Sequence, residues 1–210
     1  MNINNLNKSK EGLYLPLMEA FHTIQGEGFF SGKSAFFLRI GGCDVGCQWC
    51  DVKESWDPSK HKLTSVQSIV DEIKKYNTNT VVITGGEPLM WDLSYLTKSL
   101  KFLSYQIHLE TSGAYPLSGD FDWICLSPKK NKPALKEIKP IANELKVIIN
   151  SQRDLLWAEK QRHLLSSDCK LYLQPEWSKR DKILPFITDY VMKNSDWKIS
   201  LQAHKYMNMP

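Results

Sequence analysis

Three thiols crowded into one loop are the clearest chemical signal in this chain. Cys43, Cys47 and Cys50 stand at C-x3-C-x2-C within Gly41-Gly42-Cys43-Asp44-Val45-Gly46-Cys47-Gln48-Trp49-Cys50-Asp51. That spacing lets each thiolate turn toward one metal centre without the backbone doubling back. A structural zinc site is closed by four ligands, and a ferredoxin-type cluster also takes four thiolates. Three thiolates leave one coordination position for something else. A zinc ion completed by a distant His or Asp is one reading, but none of His22, His61, His108, His163 or His204 lies at zinc-like spacing from the cysteines. A four-iron four-sulfur cluster with one iron free of protein ligands is the expectation set against it, and chance clustering is the third.

A free iron takes a chelating ligand, and the amino and carboxylate groups of a methionine, as carried by S-adenosylmethionine, form such a pair. Gly85-Gly86-Glu87-Pro88 suits the other side of that ligand. Its glycines let backbone carbonyls approach an ammonium group, and Glu87 offers a negative charge. The plain alternative is a strand-to-helix turn. Thr23-Ile24-Gln25-Gly26-Glu27-Gly28 is another place where backbone could approach a ligand, or simply a glycine turn.

These residues need elements to position them. Residues 15–22 form a short strand beginning after Pro16, and 35–40 (AFFLRI) a strand covered on both faces. Arg39 inside that apolar run requires an anionic partner or a route to water. A helix is expected over 63–76, opened by a Thr64/Gln67 capping box, with Val66, Ile69, Val70 and Ile73 on one stripe. Strands follow at 80–84, 105–110, 123–126, 144–149, 170–173 and 198–201. Helices are expected at 93–103 (Leu93, Leu96, Leu100 and Leu103 on one side), 155–165 and 181–193, the last with Pro185 in its first turn.

Strands alternating with helices predict an α/β fold with a mostly parallel sheet and right-handed crossovers. Six to seven strands are too few for an eight-fold barrel, and two crossovers lack a long helix, so the expectation is an open, abridged (β/α) barrel. The cysteine loop, GGEP, ETSG, SPK, QPEW and QAHKY each follow the end of an expected strand. In a parallel sheet those ends share one rim, where α/β folds build their sites.

Composition is consistent with this and excludes other classes. A 210-residue chain with 42% hydrophobic and 24% charged residues forms a packed globular domain, expected over 13–210. The Asn/Lys-rich 1–12 is expected to be a flexible tail. No signal-peptide core or bilayer-length apolar run is present, so a cytoplasmic location is expected. The five cysteines are odd in number and three are clustered, which is not a disulfide framework. Cys125 and Cys169 read as small core residues. A net charge of +4, dispersed along the chain, gives no basic stripe for nucleic acid.

CDVGCQWC with a downstream TGGEP resembles the radical S-adenosylmethionine superfamily. From about residue 15 to 210 the chain resembles one of its families in particular, the 7-carboxy-7-deazaguanine synthases of queuosine and deazapurine biosynthesis. FHTIQGEGFFSGKSAFFLRIGGC, ETSG, SPK, ELK, QPEW and SLQAHKYMNMP carry that likeness in order. The resemblance implies a lyase. Its substrate would be 6-carboxy-5,6,7,8-tetrahydropterin, from which a 5′-deoxyadenosyl radical removes the C6 hydrogen. The ring then contracts, ammonia leaves, and S-adenosylmethionine acts as a cofactor.

Roles follow by matching. Cys43, Cys47 and Cys50 would hold the cluster. Trp49, Cys50, Asp51, Gly85, Gly86, Glu87, Gly113, Ser127, Pro128, Lys129, Gln174, Pro175, Glu176 and Trp177 would surround S-adenosylmethionine. Ile24, Gln25, Gly26, Arg39, Thr111 and the carboxylate of Pro210 would bind the pterin, with Glu27 and His204 behind them. The resemblance further implies a flavodoxin- or ferredoxin-type electron donor, a homodimer and a magnesium ion at the substrate. One position departs: Val52 stands where the family has a threonine whose oxygen reaches magnesium. A glycyl-radical activase would share the cysteine loop but gives no reason for QGEG, Arg39 or the HKYMNMP ending. A non-catalytic zinc or iron–sulfur module is the alternative of another class.

Overall fold

The computed structural model describes residues 11–210. Nine strands form one sheet: β1 (Tyr14–Ile24), β2 (Ser34–Ile40), β3 (Lys62–Ser65), β4 (Thr80–Gly85), β5 (Gln106–Thr111), β6 (Trp123–Leu126), β7 (Glu144–Ile149), β8 (Lys170–Pro175) and β9 (Trp197–Ile199). Helices α1 (Val66–Ile73), α2 (Ser94–Phe102), α3 (Arg153–Gln161), α4 (Arg180–Lys193) and α5 (Ala203–Tyr206) complete it. The sheet order is β3-β1-β2-β4-β5-β6-β7-β8-β9.

From β2 through β4 to β9 every neighbour is parallel, giving seven parallel strands. β1 runs antiparallel to both β2 and β3 at one edge. The two edges, β3 and β9, do not pair, so the sheet is an open barrel. It is nonetheless curled: past β1, Gly28 N–H donates to Ser200 Oγ (2.9 Å) and Gly26 accepts from Ala203 N–H (2.9 Å), both just beyond β9. The connections β5–β6 and β6–β7 contain no α-helix, as expected. Among the described residues no helix is long and apolar enough to cross a membrane.

Two apolar clusters hold the layers together. Val66, Ile69, Val70 and Ile73 of α1 pack with Leu15, Phe36, Leu38, Val81 and Ile83, and each such buried side chain contributes roughly 1.5–3 kcal/mol over exposure. Ile183 and Ile187 of α4 join Leu171, Leu173 and Trp197 in the second cluster. Cys169 is buried in that second cluster and Cys125 within β6, as expected of small interior residues.

The structure corrects several local expectations. Residues 62–65 are not helical: Leu63 and Thr64 pair with Pro16 and Leu15, so ladder bonds with β1 override the capping-box signal. The cap moves by one residue, and Ser65 Oγ accepts from Ser68 N–H at 3.1 Å. β1 starts before Pro16, spanning Tyr14 onward. Leu103 lies beyond the last turn of α2 and is 36% exposed, while Leu93, Leu96 and Leu100 are fully buried. Helix α3 ends at Gln161, followed by Leu164 at φ +72°. Pro185 sits in the second turn of α4, where its missing N–H leaves the Asp181 carbonyl without a helical donor. The tail expected over 1–12 lies outside the described residues as far as residue 10; Glu11 and Gly12 form a turn, with Gly12 buried.

Candidate active site

The C-terminal ends of the parallel strands surround a cavity of about 290 Å³. All six motifs that follow strand ends contribute to its wall, through Cys43, Glu87, Thr111, Lys129, Gln174 and His204 among others. β1 also contributes, because its antiparallel course brings Phe21 and Thr23 to the same interior face, with Gln25 just past its end.

The cysteine loop is fixed to its neighbours by backbone bonds. Gly41 N–H donates to Pro16 O (2.7 Å), Gly42 N–H to Ser55 O (2.6 Å) and Cys43 N–H to Trp56 O (3.1 Å). Glu87 N–H donates to Gly42 O at 2.8 Å, and a Cβ on Gly86 would stand 2.4 Å from that same oxygen. Glycine is required at Gly86 because two main chains meet there. Cys43, Cys47 and Cys50 are all half-buried and line the one cavity. Burial pushes the Cys43 and Cys47 thiols up, with Lys129 working the other way on Cys47. Among the described residues no three His, Cys, Asp or Glu side chains converge on one metal position. Three thiols on one cavity wall are the donor set a cluster takes when one of its irons is left for another ligand.

Glu87 lies under the rim, 1% exposed. Its carboxylate accepts from Thr111 Oγ1 (2.6 Å), Ser112 N (2.8 Å), Ser112 Oγ (2.5 Å) and Leu89 N (3.1 Å). The charge expected to face an ammonium group is therefore occupied with joining β4 to β5. The Thr111 hydroxyl, expected at the substrate, is committed in the same way, since it also accepts from Gly113 N–H at 2.9 Å.

Charged groups line the opposite side. Lys146, 4% exposed, donates to Glu27 Oε2 (2.6 Å) and Glu110 Oε2 (2.9 Å). Gln202 Nε2 reaches Glu27 Oε1 at 3.0 Å and Gln25 Nε2 reaches Glu110 Oε1 at 3.4 Å. Burial alone would raise the Glu27 pKa, but Lys146, His204 and Gln202 outweigh it and hold Glu27 at about 2. Arg39 gains an anionic partner across the β1–β2 pair: Nε donates to Glu19 Oε2 at 2.7 Å. Among the described residues its terminal guanidinium nitrogens make no hydrogen bond, and the side chain lines the cavity.

Lys129 folds back onto Ser127 O (2.5 Å) and Oγ (2.6 Å) and lies 5.7 Å over the Trp49 ring. Gln174 Oε1 accepts from Ser200 Oγ at 2.7 Å, and Glu176 accepts from Ser178 N at 3.0 Å, closing the turn after β8. Trp177 carries Arg180 (4.2 Å) and Lys205 (4.8 Å) on its ring. Lys205 also reaches Asp51 Oδ2 at 2.7 Å, tying α5 to the cysteine loop. His204 packs so close to Gly26 that a Cβ there would stand 2.1 Å from Nδ1. Ile24, Gln25, Gly26, Trp49, Asp51, Val52, Gly85, Pro175 and Pro210 line the cavity as well.

Two expected residues stand apart. Pro128 lines a neighbouring cavity of about 250 Å³ with Trp49, Lys130 and Trp157. Gly113 lines neither cavity; at φ +72° it turns the chain tightly against Leu126, Ala134 and Ile138. Lys146 and Glu110 were missed as site residues. Lys146 stands within the apolar run of β7, the same signal that singles out Arg39, whereas Glu110 lies at the end of a strand already mixed in character and carries no such signal.

A parallel α/β sheet carrying a three-thiol loop on its C-terminal rim is the arrangement of radical S-adenosylmethionine enzymes, and residues 38–142 match the Radical SAM superfamily. The 7-carboxy-7-deazaguanine synthase of Flavobacterium psychrophilum is 55% identical, over 96% of this chain and 95% of its own length. That of Synechocystis sp. is 49% identical over 92% and 93%. The crystal structure of QueE from Escherichia coli covers 97% of this chain and 100% of its own at TM-score 0.81 and 30% identity. The chain belongs to the 7-carboxy-7-deazaguanine synthase family, and so to the enzymes that use a 4Fe–4S cluster with S-adenosylmethionine. Likeness over more than nine-tenths of the chain separates it from an activase or a non-catalytic module, for which only the cysteine loop spoke.

Proposed function

We propose that this chain converts 6-carboxy-5,6,7,8-tetrahydropterin to 7-carboxy-7-deazaguanine and ammonia. The observation that carries the reading is one cavity holding both the thiol loop and a polar face of Arg39, Gln25, Glu27, Glu110 and Lys146. The overall change is redox-neutral: one ring nitrogen leaves as ammonia and the six-membered ring closes to five.

When bound, the cluster and S-adenosylmethionine would supply the 5′-deoxyadenosyl radical needed to take the C6 hydrogen. The chain's own residues hold, orient and shield the reactants. Cys43, Cys47 and Cys50 hold the cluster. The Gly85 and Gly86 backbone would receive the ammonium group of the cofactor, and Glu87 would act behind it by fixing the rim. Trp49, Ser127, Lys129 and the Gln174–Trp177 turn flank the remainder of the cofactor. Arg39 pairs with the substrate carboxylate through its terminal nitrogens, a bidentate geometry that lysine lacks. Ile24, Gln25 and Gly26 contact the pterin, and Pro210 covers it. Glu27 stays ionised throughout the working range, so it accepts hydrogen bonds and does not donate a proton.

Magnesium at the substrate would be held by water or carbonyl oxygen, because Val52 contributes none from its side chain. A flavodoxin- or ferredoxin-type reductant, a homodimer and a cytoplasmic location complete the reading.

Anaerobic reconstitution followed by reductive incubation with S-adenosylmethionine and the pterin tests it. Equimolar 7-carboxy-7-deazaguanine and ammonia are expected. Formation of 5′-deoxyadenosine without the deazaguanine would overturn the substrate and leave the enzyme class standing.

A further inference from the structure

Thr23 is 4% exposed, and its Oγ1 is buried without a hydrogen-bond partner. Folded proteins rarely leave such a group alone, because a buried hydroxyl stripped of water loses a hydrogen bond. The β1–β2 register places Ala35 opposite Thr23, which offers no side-chain partner. Yet Thr23 is part of the cavity wall. Along β1 the alternation of a strand puts Phe21 and Thr23 on one face, and both line the cavity. Phe21 stacks on Phe37 of β2, with ring centroids 5.7 Å apart and planes 15° from parallel. Beside the orphan hydroxyl there is thus a flat apolar wall.

We propose that Thr23 is a substrate-contacting residue whose hydroxyl hydrogen-bonds the polar edge of the substrate's bicyclic heterocycle. The inference rests on the pterin reading above and adds a residue to it. Arg39 pairs with Glu19, four residues before Thr23 along β1, so the two levels are separated by roughly 13 Å of strand. The Arg39 side chain spans part of that interval. A carboxylate held at Arg39 then directs the attached ring along Phe21 and Phe37 toward Thr23. A hydroxyl both donates and accepts, so it can meet a ring carbonyl, a ring nitrogen or an N–H. A turn of the Thr23 side chain about χ1 brings the hydroxyl from its buried position to the cavity, where the ligand supplies the bond that the fold withholds.

The test compares Thr23→Val, which keeps the shape and removes the oxygen, with Thr23→Ser, which keeps the oxygen. Binding of carboxytetrahydropterin to the reconstituted holoenzyme is measured without reductant, so no turnover occurs. Thr23→Val is expected to bind about 10-fold more weakly and Thr23→Ser within about threefold of wild type. The ligand-free Tm of Thr23→Val should equal or exceed that of wild type, because no protein bond is lost. Unchanged affinity in Thr23→Val overturns the proposal while the pterin reading stands. A ligand-free Tm several degrees lower, or failure to fold, also overturns it, by revealing a structural partner for the hydroxyl; Thr23→Ala checks that outcome independently. Failure of the wild type to bind the pterin overturns both readings together.

Discussion

Glu87 Oε1 accepts a 2.6 Å hydrogen bond from the Thr111 hydroxyl, 24 residues further along the chain. The other oxygen takes the amide and hydroxyl of Ser112. A buried carboxylate thereby locks the end of β4 to the end of β5, and both ends form the rim that carries the site. Replacing Glu87 by Ala strands the Ser112 and Leu89 amides and two hydroxyls in a dry environment. Glu87→Ala is therefore expected to lose about 3 kcal/mol, or roughly 6–12 °C in Tm, by thermal melting of the cluster-free protein. A Tm within 2 °C of wild type, on the order of the shift for 1 kcal/mol or less, would show that the rim holds without the carboxylate.

The three rim thiols and the two core thiols are distinguishable by iron content. Reconstituted wild type should bind about four irons per chain. Cys43→Ala, Cys47→Ala and Cys50→Ala should each fall well below that and stop cleaving S-adenosylmethionine. Cys169→Ala, which alters a buried side chain in the second apolar cluster, should keep the full iron content at a cost in stability of about 1 kcal/mol. Full iron content in any of the three rim variants would remove that thiol from the ligand set.

The rim itself was legible because each motif follows a strand, and parallel strands all end on one side. What stayed hidden depended on contacts between distant segments. Residues 62–65 carry a helix-start pattern that is silent about β1, whose ladder captures them. Glu87 looks like a free charge beside two glycines, and nothing in GGEP tells of Thr111. Lys146 and Glu110 became site residues only when the sheet placed them opposite Glu27. Gly113 shows the converse: it sits in a matching motif, yet the fold uses it to turn the chain in the core.

Val52 gives a prediction about magnesium. Its side chain lines the cavity but holds no oxygen, and its carbonyl already accepts from Ser55 N–H (3.1 Å) and Oγ (2.7 Å). Val52→Thr adds a hydroxyl in nearly the same volume. The magnesium concentration for half-maximal activity should fall roughly 10-fold, the scale on which one supporting oxygen changes metal affinity. A steady-state titration of chelator-treated enzyme with magnesium chloride measures it. Full activity of the wild type after rigorous chelation would remove the cation from the reading.

Lys146 governs how the fold responds to acid. Glu27 has an ordinary pKa of 4.5 and is held at about 2 in the fold, where Lys146 outweighs the upward push of burial. A carboxylate depressed in this way stabilises the fold fully above the unfolded value. That contribution is lost as pH falls from about 4.5 toward 2, at up to about 1.4 kcal/mol per pH unit. His108 adds an earlier window. Burial, with Lys33 adding to it, lowers its pKa from 6.5 to about 4, so the unfolded chain takes up a proton first and stability declines between those values. Wild type should thus lose stability in two stages, from pH 6.5 to 4 and from 4.5 to 2. Lys146→Met should cost up to about 3 kcal/mol at pH 7, because Glu27 and Glu110, whose side chains are 18% and 20% exposed, lose their shared cation. It should also shrink the carboxylate window. With Lys146 gone, only His204 and Gln202 oppose burial, so the Glu27 pKa moves back up and less stability is lost as pH falls from about 4.5 toward 2. Urea melts of both proteins from pH 7 down to about pH 2.5 separate the outcomes, and parallel pH profiles below about pH 4.5 would show that Lys146 does not set the charge state of Glu27.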